Sequence, residues 1–287
     1  MQAISLFSGI GGFELAAQLV FSNDVPSSKL RYQTFQFVEI NPYDQKVLQS
    51  HFPNIPIWAD INTYHPPKFR EFGFPTIVIG GFPCTNTSNA GKKEGLAGAQ
   101  SGLWWEMYRV ILEAQPDFVI IENPKGIIYR GLRTILGALQ MAGFETEVEV
   151  ISASECGAPH ERQRVFIVAY RNDLQLQQRQ GWTCWSDNIG KYITIAKSFI
   201  SYPEAEPSSL SVDDGNPSYL AGLHYDHWWR MNPPPVSPGL KRRTPGRREA
   251  VTLAGLSIVP LQATVPLMRV QFLASLLSNQ IINFKQT

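Results

Sequence analysis

Phe74–Trp105, FPTIVIGGFPCTNTSNAGKKEGLAGAQSGLWW, is the stretch from which the fold can be read. Its apolar run Ile77-Val78-Ile79 is short and β-branched, the pattern of a strand buried on both faces. Gly80-Gly81 breaks the run, and Pro83-Cys84 follows just past the turn. A polar, glycine-rich loop then carries Ser88, Lys92 and Lys93 to a helical segment that opens at Leu103. Strand, tight turn and cysteine together describe a side chain at the carboxyl end of a parallel strand, the edge where open α/β sheets take their ligands. Pro83, with its fixed φ, stiffens the approach to Cys84. A solitary cysteine is ordinarily a small buried hydrophobe. Cys84 has company: Glu122-Asn123 follows a second apolar strand, and Arg162 and Arg164 precede a third.

Working outward, Ala3–Phe7 reads as a strand, Ser8-Gly9-Ile10-Gly11-Gly12 as a glycine turn, and Phe13–Val20 as a helix. A turn of this kind brings backbone and a helix N-terminus close to a ligand, although it also serves to pack a helix on a strand. Its spacing is not the dinucleotide GxGxxG fingerprint, and no hydride-handling pair accompanies it. The next strand, Phe35–Val38, ends on Glu39, and Ile55–Trp58 leads to Asp60. Acids at strand tips are placed to accept hydrogen bonds from ribose hydroxyls. Strands and helices alternate through Val119–Ile121 and Glu147–Val150 to Val165–Ala169, which predicts a doubly wound, mostly parallel sheet of α/β class.

With 287 residues and 44% hydrophobic content the chain can bury a full core. The net charge of +1 advertises no global field for nucleic acid, so local clusters have to be asked. Three cysteines without CxxC spacing argue against a disulfide framework or a metal site and for a reducing compartment. The N-terminus lacks a signal-peptide pattern and no apolar run approaches a membrane span, so a soluble cytoplasmic protein is expected. After Tyr170 the character changes to a polar, Pro- and Trp-rich stretch that reads as a small irregular domain. Near its end Lys241–Glu249 holds five cations and one acid, a phosphate-contacting edge if it borders a catalytic face. Ala263–Phe284 returns to an amphipathic helical pattern.

These stretches together resemble the cytosine-C5 DNA methyltransferases that use S-adenosylmethionine. The likeness covers nearly the whole chain in the family's motif order: LFSGIGGFELA, FVEIN, the ADI around Asp60, GGFPCTNTSNAGKKEGLAGAQSGLWWE, IIENPKG, GAPHERQRVFIVA and PGRREAVTLAGLSIVPLQA. It implies a catalytic and cofactor-binding domain of residues 1–171 with 254–287, and a target-recognition domain of residues 172–253. It implies Cys84 as the thiolate that attacks C6 of cytosine, Glu122 at N3, Arg164 facing O2, and Arg162 supporting Glu122 or a phosphate. Asn123 would brace the cysteine loop through backbone bonds. Phe7, Gly9, Gly11, Glu39, Ile40, Asp60, Pro83, Leu103 and Ser257 would line the cofactor site. Ser88, Lys92, Arg242, Arg243 and Arg247 would contact DNA. The partner implied is double-stranded DNA carrying a flipped-out base, met by a monomer, with no membrane. Three positions depart from the family pattern: Pro124 stands for valine, Gln163 for glutamate, and Leu256 for the asparagine of a Gly-Asn-Ser motif. The alternatives are a catalytically impaired homologue that binds DNA, and an RNA cytosine-C5 methyltransferase.

Overall fold

The computed structural model describes residues 1–22, 30–69, 73–83, 102–158, 161–199 and 257–283. Seven strands form one sheet: β1 (Gln2–Leu6), β2 (Gln33–Val38), β3 (Ile57–Trp58), β4 (Thr76–Gly80), β5 (Phe118–Pro124), β6 (Phe144–Ser152) and β7 (Gln163–Arg171), in the order β3-β2-β1-β4-β5-β7-β6. The pairs from β3 to β5 are parallel, while β7 runs antiparallel to both β5 and β6. The expected mostly parallel, doubly wound sheet is present, with β7 as the reversed member. The reversal follows from the short link between β6 and β7, since a parallel return needs a crossover of a dozen residues or more.

Helices cover both faces: α1 (Gly12–Val20), α2 (Pro42–His51), α3 (Gly102–Ala114), the short α4 (Ile127–Arg130), α5 (Leu132–Met141), α6 (Trp185–Ser198) and α7 (Pro260–Asn283). Alternate strand residues divide between two cores, as the pleat requires. Ala3, Ile77, Ile79, Ile120 and Phe166 pack with α1, α6 and α7. Ile4, Leu6, Val78, Ile121 and Val165 pack with α3 and α5. Local signals agree with this layout. Asn41 caps α2, its side chain accepting from Tyr43 N at 3.0 Å with Pro42 in the first turn. Gly11 enters α1 at φ 90°, and a Cβ there would lie 2.7 Å from the Phe52 ring.

Two sequence expectations change. Residues 172–199, placed by sequence at the start of the irregular domain, share the core of the sheet. Leu176, Trp185, Tyr192 and Ala196 are buried there, and α6 packs on α7. α7 is not amphipathic over 261–270, where every residue is buried, because α1 and α6 both lie against it. Its buried Arg269 donates from Nε and Nη2 to the two oxygens of Glu147 on β6, each at 2.8 Å, and from Nη2 to Thr183 O at 2.7 Å.

Candidate active site

The sheet order changes direction between β1 and β4: β1 is flanked by β2 on one side and by β4 on the other. A crevice opens outside the strand tips at such a point. The sequence-predicted residues lie along this one edge. Phe7 and Gly9 follow β1, Glu39 and Ile40 follow β2, Asp60 follows β3, and Pro83 follows β4. Glu122 lies near the end of β5, and Arg164 near the start of the reversed β7.

On the β1–β2 side, Glu39 is buried and each carboxylate oxygen accepts one backbone N–H, from Gly9 and from Asn41, both at 2.8 Å. A carboxylate oxygen accepts more than one bond, so capacity remains for a hydroxyl. Burial raises the Glu39 carboxyl above its ordinary range, against the pull of those same bonds. Nearby Asp44 is pushed to about 7 by burial first and by Glu39 second. Ile40 stands 69% exposed at the strand tip, an apolar side chain with no core to enter. Phe7 holds φ 51°, a left-handed conformation that costs about 1 kcal/mol or more for a side chain with Cβ. Gly9 also has a positive φ, with open space where a Cβ would stand. Asp60 caps the turn Ile61–Thr63, its Oδ1 accepting from Asn62 N at 2.9 Å and Asn62 Nδ2 at 2.7 Å. Leu103 lies in the first turn of α3, half-buried against the second core.

On the β5–β7 side, Arg164 Nε meets Glu122 Oε1 at 2.7 Å. The register explains the pair: Pro124 is opposite Arg164 and Glu122 opposite Phe166, so Glu122 and Arg164 are diagonal neighbours on one face. Burial raises the Glu122 carboxyl, while Arg164 and then Arg162 act to lower it. The tip of β4 touches the same carboxylate, for a Cβ on Gly81 would lie 2.6 Å from Glu122 Oε2. Arg162 donates from Nη2 to Ser257 O at 2.8 Å, which brings the segment before α7 to the site. Lys125 Nζ donates to Gln163 Oε1 at 2.8 Å. Asn123 is buried, and its amide atoms have no hydrogen-bond partner among the described residues.

Gln262, which no motif in the sequence singles out, also belongs to the site. It is fully buried on α7 and donates from Nε2 to Arg162 O at 2.6 Å and to Ile151 O at 2.9 Å. A single amide inside an apolar helical run was the available signal. Cys84, Ser88, Lys92, Arg242, Arg243, Arg247 and Leu256 lie outside the described residues; Pro83, exposed at the end of the β4 turn, is the residue that precedes Cys84.

A family model for C-5 cytosine-specific DNA methylase matches residues 1–214. The chain is 30% identical over 240 residues to the Type II methyltransferase M.BspRI of Lysinibacillus sphaericus, covering 77% of this chain and 54% of that protein. It is 33% identical over 190 residues to the Type II methyltransferase M.SacI of Streptomyces achromogenes, covering 60% of this chain and 48% of that one. The chain therefore spans about half the length of these curated relatives. Among solved structures, the Entamoeba histolytica methyltransferase EhMeth superposes with a TM-score of 0.60 at 13% identity, over 95% of this chain and 98% of that one, a likeness of fold. With the family model matched across the sheet and the site alike, the chain belongs to the C-5 cytosine-specific DNA methylase family.

Proposed function

We propose that the protein transfers a methyl group to C5 of a cytosine flipped out of duplex DNA through a covalent adduct: the Cys84 thiolate adds at C6, C5 takes the methyl, and loss of the C5 proton to a base then expels the thiolate and restores the ring. The observation that supports this best is the convergence of Glu122 and Arg164 at 2.7 Å beside the tip of the strand that leads into Cys84. C5 of cytosine is a poor nucleophile until a thiolate adds at C6 and pushes electron density into the ring. That density arrives at N3 and O2. Glu122, its carboxyl raised by burial, suits the holding of a proton at N3. Arg164 brings the cation that O2 requires. Arg162, bound to Ser257 O, supports the pair from the α7 side.

The β1–β2 side fits S-adenosylmethionine. Glu39 has capacity for ribose hydroxyls, exposed Ile40 offers an apolar surface for adenine, and the open backbone at Gly9 admits close approach. Asp60 would accept from the adenine amine, with Phe7, Gly11, Pro83, Leu103 and Ser257 completing the walls. When bound, this cofactor supplies an electrophilic methyl on a sulfonium. Ser88 and Lys92, with Arg242, Arg243 and Arg247, are proposed as phosphate contacts. Because residues 172–199 share the main core, target recognition is assigned to the chain between that core and α7.

The test is covalent capture. Duplex DNA carrying 5-fluorocytosine in many sequence contexts should form a denaturation-resistant adduct in the presence of S-adenosylmethionine. Cys84→Ser should form none. Absence of an adduct from the native protein, or capture of RNA in preference to DNA, would reject this reading.

A further inference from the structure

Arg109 lies on α3, two turns beyond Leu103, and its guanidinium is tied on every side. Nε donates to Glu106 Oε2 at 2.8 Å and Nη1 to Glu113 Oε1 at 2.9 Å, so two acids of its own helix fix the side chain. The remaining bonds leave the helix. Nη1 donates to Tyr64 O at 3.0 Å and Nη2 to Ile61 O at 2.7 Å. Ile61 opens and Tyr64 closes the single turn Ile61–Thr63, whose cap is Asp60. One planar fork therefore grips both ends of the turn that presents Asp60, a task for which arginine's geometry is suited and lysine's is not. The turn is also held from outside, where Trp58 Nε1 donates to Thr63 Oγ1 at 3.0 Å.

We infer that Arg109 is a positioning residue of the cofactor cleft, setting the height of Asp60 against the wall formed by Leu103. The inference rests on the cofactor reading above and adds a residue to it. Arg109 touches neither cofactor nor substrate: it joins two walls of the cleft that sequence separates by more than forty positions. Asp60 is half-buried, and its Oδ1 is occupied by Asn62 within the turn, so the carboxylate is aimed by wherever the turn is held. A one-ångström shift of such a turn is enough to spoil a hydrogen bond to a ligand.

The experiment is a double-mutant cycle read by calorimetric binding of S-adenosylhomocysteine to the full chain. Arg109→Ala should weaken binding by about tenfold, and by less than about twofold in an Asp60→Ala background, because coupled sites are non-additive. In turnover the change should fall on KM for the methyl donor and leave kcat near its native value. If the native protein fails to bind S-adenosylhomocysteine, the cofactor reading itself fails, and this is seen before any variant is made. If Arg109→Ala weakens binding equally in both backgrounds, the residue is scaffold alone and the inference is overturned. Should Arg109→Ala not fold, Arg109→Lys carries the same cycle, since it keeps the charge beside Glu106 and Glu113 but cannot span two carbonyls.

Discussion

Gly81 shows how little room the site leaves at single positions. A Cβ there meets the Glu122 carboxylate at 2.6 Å, which can swing away at small cost in stability, and the Glu122 backbone oxygen at 3.3 Å, which asks β5 to give by a few tenths of an ångström. The swing takes the carboxylate off Arg164, so Gly81→Ala should lower turnover on the order of 100-fold while the protein stays folded. Melting temperature within about 3 °C of native, together with that loss, is the expected pair of results. A variant with native turnover would show that the Glu122–Arg164 contact is dispensable. Phe7 sits at the same edge with a left-handed backbone, and such strain collects where ligands are held.

Among elements, α7 is the one on which the rest leans. It meets α1 and α6, brackets Arg162 through Gln262, and reaches β6 through Arg269. Removing one member of a buried pair leaves the other charge stranded, so Arg269→Ala should destabilise the protein by roughly 3–5 kcal/mol in denaturant unfolding. The double replacement of Arg269 by Met and Glu147 by Leu should recover most of that loss. Failure of the double variant to recover would mean that the backbone bonds of the pair, from Arg269 to Thr183 O and from Trp185 N to Glu147 Oε1, carry the stability rather than the ion pair.

The strands of this architecture were legible because parallel strands buried on both faces read as unbroken apolar runs, as Ile77–Ile79 and Val119–Ile121 do. Their tips were legible for the same reason, since each run stops at a glycine or an acid. α6 carries a helical signal as well, for Trp185, Ile189, Tyr192, Ile193 and Ala196 recur at helical spacing, but the glutamine-rich run before it has no period and masks its start. The reversal of β7 was hidden too, because sheet direction depends on the length of a link and not on strand composition. The roles of Gln262 and Arg109 leave no trace in side-chain identity because the bonds that matter, to Arg162 O and to Ile61 O and Tyr64 O, are to backbone carbonyls; the pairs of Arg109 with Glu106 and Glu113 are legible but local to its own helix.

For the molecule as a whole, the response to pH is set in part by Glu14. It is 3% exposed on α1, with Oε1 accepting from Thr34 at 3.3 Å, and burial pushes its carboxyl to about 7. The folded protein thus holds this proton more tightly than the unfolded chain, whose glutamate titrates at 4.5. The stability it contributes is complete below about 4.5 and is lost as pH rises through about 7, a change on the order of 3 kcal/mol. Glu14→Gln should flatten the fall in melting temperature between pH 5 and pH 8 and leave the variant the more stable at the upper end. An unchanged slope would assign the proton elsewhere, with Asp44, also held at about 7, the next to be replaced.

The diagonal placement of Glu122 and Arg164 across two antiparallel strands carries a consequence for how such a chain can diverge. Side chains alternate faces along a strand, so inserting or deleting one residue in β5 or β7 would send one member of the pair to the opposite side of the sheet. Point substitutions in this strand pair are survivable where they spare Glu122 and Arg164 and keep the volume of the buried side chains. Changes of length are not. Descendants of this protein should therefore exchange apolar residues of similar volume between Phe118 and Ile121 and between Val165 and Tyr170, where the side chains are buried, and hardly vary at all in the number of residues.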